Sequence, residues 1–160
     1  GEIEKGSIVF THDDWVEDEK RGWFLVSLDE LSRFSEEDRR IFLKYCYDVD
    51  FGMMVGTLNP DHVRHLSNFI NHSCDPNTQF DLCDNIIARR RILPGEEITI
   101  DYATFVVNAD QDFICGCGSS RCRKIITKDD WKLLLDEYGF NFPTFMHPHI
   151  EALLRQLVLR

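Results

Sequence analysis

The feature that most constrains the fold of this chain is the segment 68–77, which reads Asn-Phe-Ile-Asn-His-Ser-Cys-Asp-Pro-Asn. Asn71, His72 and Ser73 bring side-chain and backbone hydrogen-bonding groups into one short turn, and Pro76 stiffens the exit from it. Taken alone, this turn is more typical of an Asx-rich structural loop in which the histidine bonds the backbone. Its interpretation therefore depends on the rest of the chain.

Two later segments accompany this turn. Residues 95–102 read Gly-Glu-Glu-Ile-Thr-Ile-Asp-Tyr, which predicts a turn followed by an apolar strand that ends at Tyr102. Residues 115–122 read Cys-Gly-Cys-Gly-Ser-Ser-Arg-Cys, which places three thiols in a small glycine-rich turn. Thiols this close suit a metal better than unstrained disulfides, although free thiols in a loop stay open on spacing alone. A structural zinc ion takes four ligands, so the fourth has to come from elsewhere in the fold.

In this order, the three segments resemble the SET-domain protein-lysine methyltransferases that carry a cysteine-rich post-SET segment. Members of that family transfer a methyl group from S-adenosylmethionine to a lysine amine. The resemblance implies that Tyr102 is the active-site tyrosine, whose hydroxyl orients the reacting groups, and that Ile100 lies in the substrate channel. It also implies that the cofactor contacts come from Asn68, Phe69, Asn71 and His72.

The resemblance further implies one structural zinc ion, in which Cys74 joins Cys115, Cys117 and Cys122 as the fourth ligand. Such a site would hold the Asn-His-Ser-Cys turn beneath the post-SET segment. Two alternatives stay open at this point. One is a zinc-stapled scaffold in which the turn is structural only. The other is a hydrolase built on Cys74 and His72, although two residues this close in sequence do not by themselves give the required geometry.

The implied fold is mainly β with short helices: a SET-domain fold of small β-sheets with a knot-like crossing, a zinc-bound post-SET segment and C-terminal helices. We expect a SET core over residues 1–110, the post-SET zinc segment over 111–126 and C-terminal helices over 127–160. In the family, a glycine-rich strand with a Gly-x-Gly turn precedes the segment that resembles residues 2–6. Because the chain begins after that point, either the parent protein continues upstream, or another segment substitutes, or cofactor binding is impaired.

Residue patterns predict the individual strands, which cover 5–10, 23–28, 78–82, 86–92 and 97–102. A tight hairpin turn is expected at Asp84 and Asn85. Cys83 falls in a strand pattern and is expected to be a small buried apolar group. The mostly acidic residues 11–20 are expected to be exposed.

Capping signals predict the helices. Ser35 is expected to cap a helix whose buried stripe consists of Ile41, Phe42, Tyr45 and Cys46. Cys46 is therefore expected to be helical and buried. A later helix begins at Thr127 and is capped by Gly139, and a last helix over 148–159 begins at or near Pro148.

Composition narrows the classes of function. The content of 43% hydrophobic and 29% charged residues is ordinary for a soluble globular domain. No apolar run approaches the roughly 20 residues of a membrane span, and the first residues lack a signal-peptide pattern. We therefore expect a nuclear or cytoplasmic protein that is not secreted. The net charge of -10 argues against direct nucleic-acid binding and favours encounter with basic partners such as histone tails.

The leading function is therefore methyl transfer from S-adenosylmethionine to a lysine in a basic protein segment. The alternative is a SET-fold module that binds a peptide or protein partner with weak or absent turnover. No general base is visible in the motifs, so we expect the proton of the lysine amine to leave through water. Ile100 stands where the family often has Phe or Tyr, and its lack of a hydroxyl predicts a channel that permits more than one methylation.

Overall fold

The computed structural model describes residues 1–108 and 113–158, and within them ten short strands form four small sheets. The strands are β1 (Ile8–Phe10), β2 (Phe24–Ser27), β3 (Cys46–Asp50), β4 (Met53–Gly56), β5 (Asn71–His72), β6 (Thr78–Phe80), β7 (Ile86–Ala88), β8 (Thr99–Ile100), β9 (Phe113–Ile114) and β10 (Ile125–Ile126). The orders β1-β7-β6 and β2-β4-β3 make two antiparallel sheets, and β9 pairs antiparallel with β10. β5 and β8 run parallel.

Short helices connect these sheets and close the chain. The α-helices are α1 (His12–Trp15), α2 (Leu28–Ser32), α3 (Glu36–Lys44), α4 (Leu135–Tyr138) and α5 (His147–Val158). The 3₁₀-helices are Glu17–Arg21, Pro60–His62, Leu66–Phe69, Tyr102–Thr104, Asp130–Leu133 and Thr144–Met146. None of the helices in the described residues has the length and apolar character that crossing a bilayer requires. The architecture is the mainly β one with short helices that the sequence predicts.

The first predicted helix is confirmed at its start and wrong at its end. The Ser35 side chain accepts a hydrogen bond from the backbone N–H of Asp38, so it caps α3 as predicted. Cys46, predicted to be helical, instead begins β3, because the chain leaves the helix at Tyr45 and pairs with β4. Its side chain is half-buried against an apolar cluster whose buried members are Val26, Leu31, Phe42 and Met54.

Gly56 lets β4 approach the start of β3 closely. Cys46 pairs with Gly56 across β3 and β4. A Cβ atom added at Gly56 would lie 2.7 Å from both the Cys46 Cβ and the Tyr45 carbonyl oxygen. The close approach of the two strands therefore requires glycine.

The β6–β7 hairpin is confirmed, but its turn is wider than the predicted two residues. The backbone N–H of Asp81 donates to the carbonyl of Asn85, and the Asp81 carboxylate accepts from the backbone N–H groups of Cys83 and Asn85. Cys83 is exposed in this turn, so its predicted burial is wrong. The wider turn is stabilised because the Asp81 carboxylate accepts hydrogen bonds from two backbone N–H groups within it.

The segment 11–20 is not wholly exposed as predicted. Asp18 is buried, and one of its carboxylate oxygens accepts hydrogen bonds from the backbone N–H groups of Arg64 and His65 and from the side-chain amide of Asn68. This carboxylate therefore anchors the chain that leads into the Asn-His-Ser-Cys turn.

The C-terminal helices are confirmed in outline. Gly139 caps α4 as predicted, since its N–H donates to the carbonyl of Leu135. The segment from Thr127 begins with a turn and a 3₁₀-helix rather than a regular α-helix, and α5 begins at His147, one residue before Pro148. Part of the last helix prediction, residues 159–160, lies outside the described residues.

One apolar cluster contains residues from the predicted SET core, the post-SET segment and the C-terminal helices. Its buried members are Cys74, Ala103, Val107, Cys115, Ile126, Trp131, Leu134, Tyr138, Phe142, Met146 and Ile150. The cysteine-rich turn and the C-terminal helices therefore pack in the same core as Ala103 and Val107, which closely follow Tyr102 in the chain.

Candidate functional site

The parallel pair of β5 and β8 brings the first two motifs together. His72 lies opposite Ile100, and the backbone N–H of Ser73 donates to the carbonyl of Ile100 at 3.1 Å. Just beyond β8, the backbone N–H of Tyr102 donates to Nδ1 of His72 at 3.1 Å. The chain from Ile100 to Tyr102 therefore runs beside the Asn-His-Ser-Cys turn.

Tyr102 presents a neutral phenol at the wall of a cavity. Its hydroxyl donates a hydrogen bond to the carbonyl oxygen of Ile70 at 2.8 Å. Burial raises the pKa of Tyr102 above its ordinary value, so the hydroxyl keeps its proton at neutral pH. Because the proton points at Ile70, the lone pairs of the phenol oxygen stay available for a second group.

The cavity beside Tyr102 has a volume of about 380 Å³, which is within the range of ligand sites. Ile100 and Asn68 lie in its wall, together with an aromatic lining made by Trp15, Tyr47, Phe80, Phe105, Phe113 and Phe145. Among the described lining residues, Asp48 carries the one carboxylate, and the backbone N–H groups of Val107 and Asn108 donate to it at 2.5 and 2.8 Å. Burial raises the pKa of Asp48. The cavity is thus mainly apolar, and its carboxylate is already hydrogen-bonded.

The third motif forms a compact sulfur cluster with Cys74. The Sγ atoms of Cys74, Cys115, Cys117 and Cys122 all lie within 4.8 Å of one another. Cys115 Sγ is 3.8 Å from Cys74 Sγ and 3.7 Å from Cys122 Sγ. A tetrahedral zinc ion with Zn–S bonds of about 2.3 Å separates its sulfur ligands by about 3.8 Å. The predicted set of four zinc ligands is therefore brought together with fitting spacing.

The thiols of this cluster have unequal acidities. Burial raises the pKa of Cys115 to about 12. At Cys117, burial acts in the same direction, but hydrogen bonds from the surrounding backbone and thiols outweigh it and lower the pKa to about 6. Deprotonating all four thiols without a cation would place like charges within 4.8 Å of one another, where they repel. The donor set thus fits a zinc ion, which would replace the thiol protons.

Arg123 connects the sulfur cluster to Asp101, the residue before Tyr102. Its backbone N–H donates to Cys74 Sγ at 3.4 Å. Its guanidinium donates to both oxygens of the fully buried Asp101 carboxylate, at 2.8 and 2.6 Å. Asp101 also accepts from the backbone N–H of Ala103 and so caps the short helix that begins at Tyr102. A charge-assisted, bidentate pair of this kind fixes both partners in orientation.

Asp101→Ala is expected to reduce the free energy of unfolding by about 3 kcal/mol, because the largely buried Arg123 guanidinium loses its bidentate partner. Urea denaturation measures the change. Asp129→Ala is the matched control, since Asp129 pairs with Lys132 on the exposed surface and is expected to cost less than about 1 kcal/mol. Equal losses for the two variants would contradict this assignment of the Asp101 pair.

The four residues that the resemblance assigns to the cofactor lie in different surroundings. Asn68 lines the cavity and donates to the Asp18 carboxylate. Phe69 is exposed, and so is Asn71, whose side-chain amide donates to Glu97 at 2.6 Å. The His72 ring is buried against Tyr102 and Phe113. The structure thus puts His72 beside the tyrosine, and of the four residues only Asn68 belongs to the cavity lining.

Sequence reasoning missed Asp101 and Arg123 as parts of the site. Each stands next to a residue that was singled out, since Asp101 precedes Tyr102 and Arg123 follows Cys122. The opposite charges of Asp101 and Arg123, each next to a motif residue, are a sequence signal that could have suggested an ion pair between them. The aromatic wall from Trp15 and Tyr47 gave no such signal, because those residues meet only in the folded chain.

Comparison with known proteins identifies the family. Residues 1–103 match the SET domain. This match covers more than half of the chain, and the chain therefore belongs to the SET-domain family. The resemblance carried by the three motifs and the SET fold that it implies are thereby confirmed.

The relatives include several histone-lysine methyltransferases. Histone-lysine N-methyltransferase SUV39H1-A of Danio rerio is 30% identical over 146 residues, which cover 67% of this chain and 36% of the relative. Histone-lysine N-methyltransferase 2B of Homo sapiens is 37% identical over 84 residues, which cover 48% of this chain and 3% of the relative. Histone-lysine N-methyltransferase SETMAR of Rattus norvegicus is 28% identical over 155 residues, covering 69% of this chain and 49% of the relative. The matched region is thus half or less of each of these relatives.

Solved structures give a weaker likeness. KRYPTONITE in complex with mCHH DNA, H3(1-15) peptide and SAH covers 79% of this chain and 26% of its own, with 21% sequence identity and a TM-score of 0.47. KRYPTONITE in complex with mCHG DNA and SAH covers 52% of this chain and 20% of its own, with 26% identity and a TM-score of 0.40. The family assignment therefore depends on the match over residues 1–103.

Proposed function

We propose that this chain is an S-adenosylmethionine-dependent protein-lysine N-methyltransferase. The observation that carries the proposal is the Tyr102 hydroxyl, which lies at an aromatic cavity beside the Asn71–His72 strand and is held by the Ile70 carbonyl. Membership of the SET-domain family and relatives named as histone-lysine methyltransferases support it. Tyr102 is the catalytic residue of this proposal.

Tyr102 would act by orientation and electrostatics. Its proton is committed to Ile70, so the phenol oxygen accepts a hydrogen bond from the substrate amine and aligns the nitrogen lone pair. S-adenosylmethionine, when bound, supplies a methyl group on a positively charged sulfur. Asn68, Phe69, Asn71 and His72 are the proposed cofactor contacts. Because the His72 ring is buried and its Nδ1 already accepts the Tyr102 N–H, the contact of His72 with the cofactor would use its backbone.

The cavity would prepare the lysine for reaction. An unperturbed lysine has a pKa of about 10.4, and its ammonium form has no lone pair to donate. Apolar walls disfavour the charged form and lower that pKa. The motifs around Tyr102 contain no general base, so the proton is proposed to leave through water. Ile100 lies in the wall of this channel.

The proposed zinc ion is structural. Cys74, Cys115, Cys117 and Cys122 would complete its shell with no open position, so it supplies no Lewis-acid chemistry to the substrate. Its role would be to hold the post-SET turn against the Asn-His-Ser-Cys turn and the neighbouring Tyr102.

The proposed substrate is a lysine in a basic protein segment, with histone tails as the first candidates. The net charge of -10 favours the approach of such segments, and the relatives' names specify histone lysine as the target of those proteins. A histone substrate places the enzyme in the nucleus, and a non-histone substrate is compatible with the cytoplasm. Direct binding to nucleic acid or membrane is not part of the proposal.

A methyl-transfer assay tests the function. Zinc-loaded chain is incubated with S-adenosylmethionine carrying a labelled methyl group and with histones or a total lysate, and labelled methyl-lysine is measured after hydrolysis. In parallel, saturating S-adenosylmethionine is expected to raise the melting temperature, because a ligand at about 100 times its Kd stabilises the folded state by about 2.7 kcal/mol. Absence of both effects in a zinc-loaded sample would overturn the proposal and favour a peptide-binding module.

The rate of methyl transfer is expected to rise by up to about tenfold per pH unit from about pH 7 to about pH 9, since only the neutral amine reacts. Because the pKa of Tyr102 is raised, the phenol stays protonated across this window and causes no fall in rate. Single-turnover rates at saturating substrate measure the profile. A rate that falls above about pH 8 would contradict the assigned state of Tyr102.

Ile100→Tyr is expected to shift the products towards monomethyl-lysine relative to Ile100→Phe, because only the tyrosine adds a hydroxyl beside the amine. Both changes enlarge a buried side chain and are expected to cost a similar 1–3 kcal/mol, roughly, so the phenylalanine variant controls for overpacking. Mass spectrometry of exhaustively methylated peptide gives the ratio of products. Monomethyl product alone from the unaltered chain would refute the expectation that Ile100 permits multiple methylation.

A further inference from the structure

The His72 ring is held between Tyr102 and the sulfur cluster. Its side chain is 2% exposed. Nδ1 lies 3.1 Å from the backbone nitrogen of Tyr102, and Nε2 lies 3.4 Å from Cys74 Sγ. Both ring nitrogens therefore face protein groups.

The partner at Nδ1 fixes the proton at Nε2. A backbone N–H can only donate, and Asp101 Oδ1, at 3.6 Å, lies beyond hydrogen-bond distance of Nδ1, so Nδ1 accepts from Tyr102 and carries no hydrogen itself. In a neutral imidazole the proton is then on Nε2. This N–H points at Cys74 Sγ, and the backbone N–H of Arg123 reaches the same sulfur at 3.4 Å. Two N–H donors thus converge on one sulfur atom, an arrangement that suits a metal-bound thiolate better than a thiol.

We propose that His72 and Arg123 are positioning residues that couple the zinc site to Tyr102 through hydrogen bonds to the Cys74 thiolate. His72 donates Nε2–H to the sulfur and accepts the Tyr102 N–H at Nδ1. Arg123 donates its backbone N–H to the same sulfur and holds Asp101, the residue before Tyr102, through its guanidinium. Two separate connections therefore lead from Cys74 to the backbone at Tyr102. The inference rests on the zinc ion of the proposed function, but it does not depend on methyl transfer.

This arrangement argues against a hydrolase built on Cys74 and His72. A general base would need an unprotonated Nε2 to take the thiol proton. With Nδ1 accepting from Tyr102, that ring would have no proton on either nitrogen, which a neutral imidazole does not allow. The ring serves as a donor to the sulfur and not as its base.

Nuclear magnetic resonance on cadmium-substituted chain tests the hydrogen bonds directly. In nitrogen-15-labelled protein loaded with cadmium-113, the His72 Nε2 proton and the Arg123 amide proton are expected to show scalar coupling to the metal across the sulfur. The nitrogen shifts of His72 are expected to be those of the Nε2–H tautomer. A Nδ1–H tautomer, or a metal-loaded protein without coupling from His72, would overturn the inference. A purely structural histidine could share this tautomer but would show no coupling to the metal.

Two amide variants, His72→Asn and His72→Gln, separate the two hydrogen bonds of the ring. His72→Asn retains an acceptor near Nδ1 and removes the donor to Cys74, so zinc affinity in chelator competition is expected to fall by about ten- to hundredfold. His72→Gln retains a donor near Nε2 and is expected to bind zinc more tightly than His72→Asn. His12→Gln is the control, because His12 is half-exposed on α1 and should leave zinc affinity unchanged.

The outcomes separate this inference from the proposed function. If His72→Asn binds zinc as tightly as the unaltered chain, the inference is overturned while the zinc site stands. If the unaltered chain binds neither zinc nor cadmium, the zinc assignment falls and takes the inference with it. Should the variants fail to fold, the spectrum of the unaltered, cadmium-loaded chain decides. Since no readout uses methyl transfer, an inactive but zinc-loaded chain leaves the test intact.

Discussion

Tyr102→Phe is expected to lower the rate of methyl transfer by about a hundred- to thousandfold while the chain stays folded and metal-loaded. The variant keeps the ring that packs against His72, Phe105 and Phe113 but loses the oxygen proposed to orient the substrate amine. Removing one preorganised polar group at a reacting centre has an effect of this size. The lost hydrogen bond to the Ile70 carbonyl should reduce stability by only about 1 kcal/mol.

Single-turnover assays with labelled S-adenosylmethionine measure this effect, with zinc content and melting temperature recorded for each sample. Tyr45→Phe is the matched control, because Tyr45 lies outside the cavity lining and carries the same change of side chain. An active Tyr102→Phe variant, within about threefold of the unaltered chain, would remove Tyr102 from the chemistry.

Cys115→Ser is expected to abolish tight zinc binding and lower the melting temperature by more than about 10 °C. Cys115 is buried in the cluster that also contains Trp131, Tyr138 and Met146, so losing the metal loosens the packing of the C-terminal helices. Structural zinc contributes directly to folding free energy, and several kcal/mol in a domain of this size corresponds to such a shift.

Metal analysis and thermal denaturation of the purified variant check this result. Cys83→Ser makes the same chemical change at an exposed cysteine in the β6–β7 turn and is expected to retain both zinc and stability. If Cys115→Ser and Cys83→Ser have the same melting temperature, the sulfur cluster does not stabilise the fold.

The sequence predicted those parts of the structure that local chemistry determines. Ser35 caps α3 because its hydroxyl meets a free backbone N–H three residues later, and Gly139 ends α4 because glycine tolerates a positive φ. The four cysteines were grouped through the resemblance, and the structure brings their sulfur atoms within one ligand shell.

The errors fall where tertiary contacts override local pattern. Cys46 continues the apolar stripe of α3, yet it begins β3 because strand pairing with Gly56 outweighs helical periodicity. Asp18 is acidic, which predicts exposure to solvent, but its carboxylate is buried and accepts hydrogen bonds from the backbone N–H groups of residues 64 and 65. Neither partner is visible within a window of sequence.

The candidate site was predicted by its motif residues and not by what positions them. Asp101 and Arg123 are 22 residues apart, and their bidentate pair exists only because the cysteine-rich turn returns to β8. The cavity lining from Trp15 and Tyr47 likewise requires the folded chain. Pairing between distant segments is a property of the three-dimensional structure, so these contacts stay hidden until the topology is known.

X-ray absorption at the zinc edge tests most directly whether Cys74 joins the post-SET cysteines at one metal. The account predicts one zinc ion per chain, bound by four sulfur atoms at about 2.3 Å, and a shell reduced to three sulfur atoms in Cys74→Ser. A sample without zinc, or a shell that is unchanged when Cys74 is replaced, would contradict it.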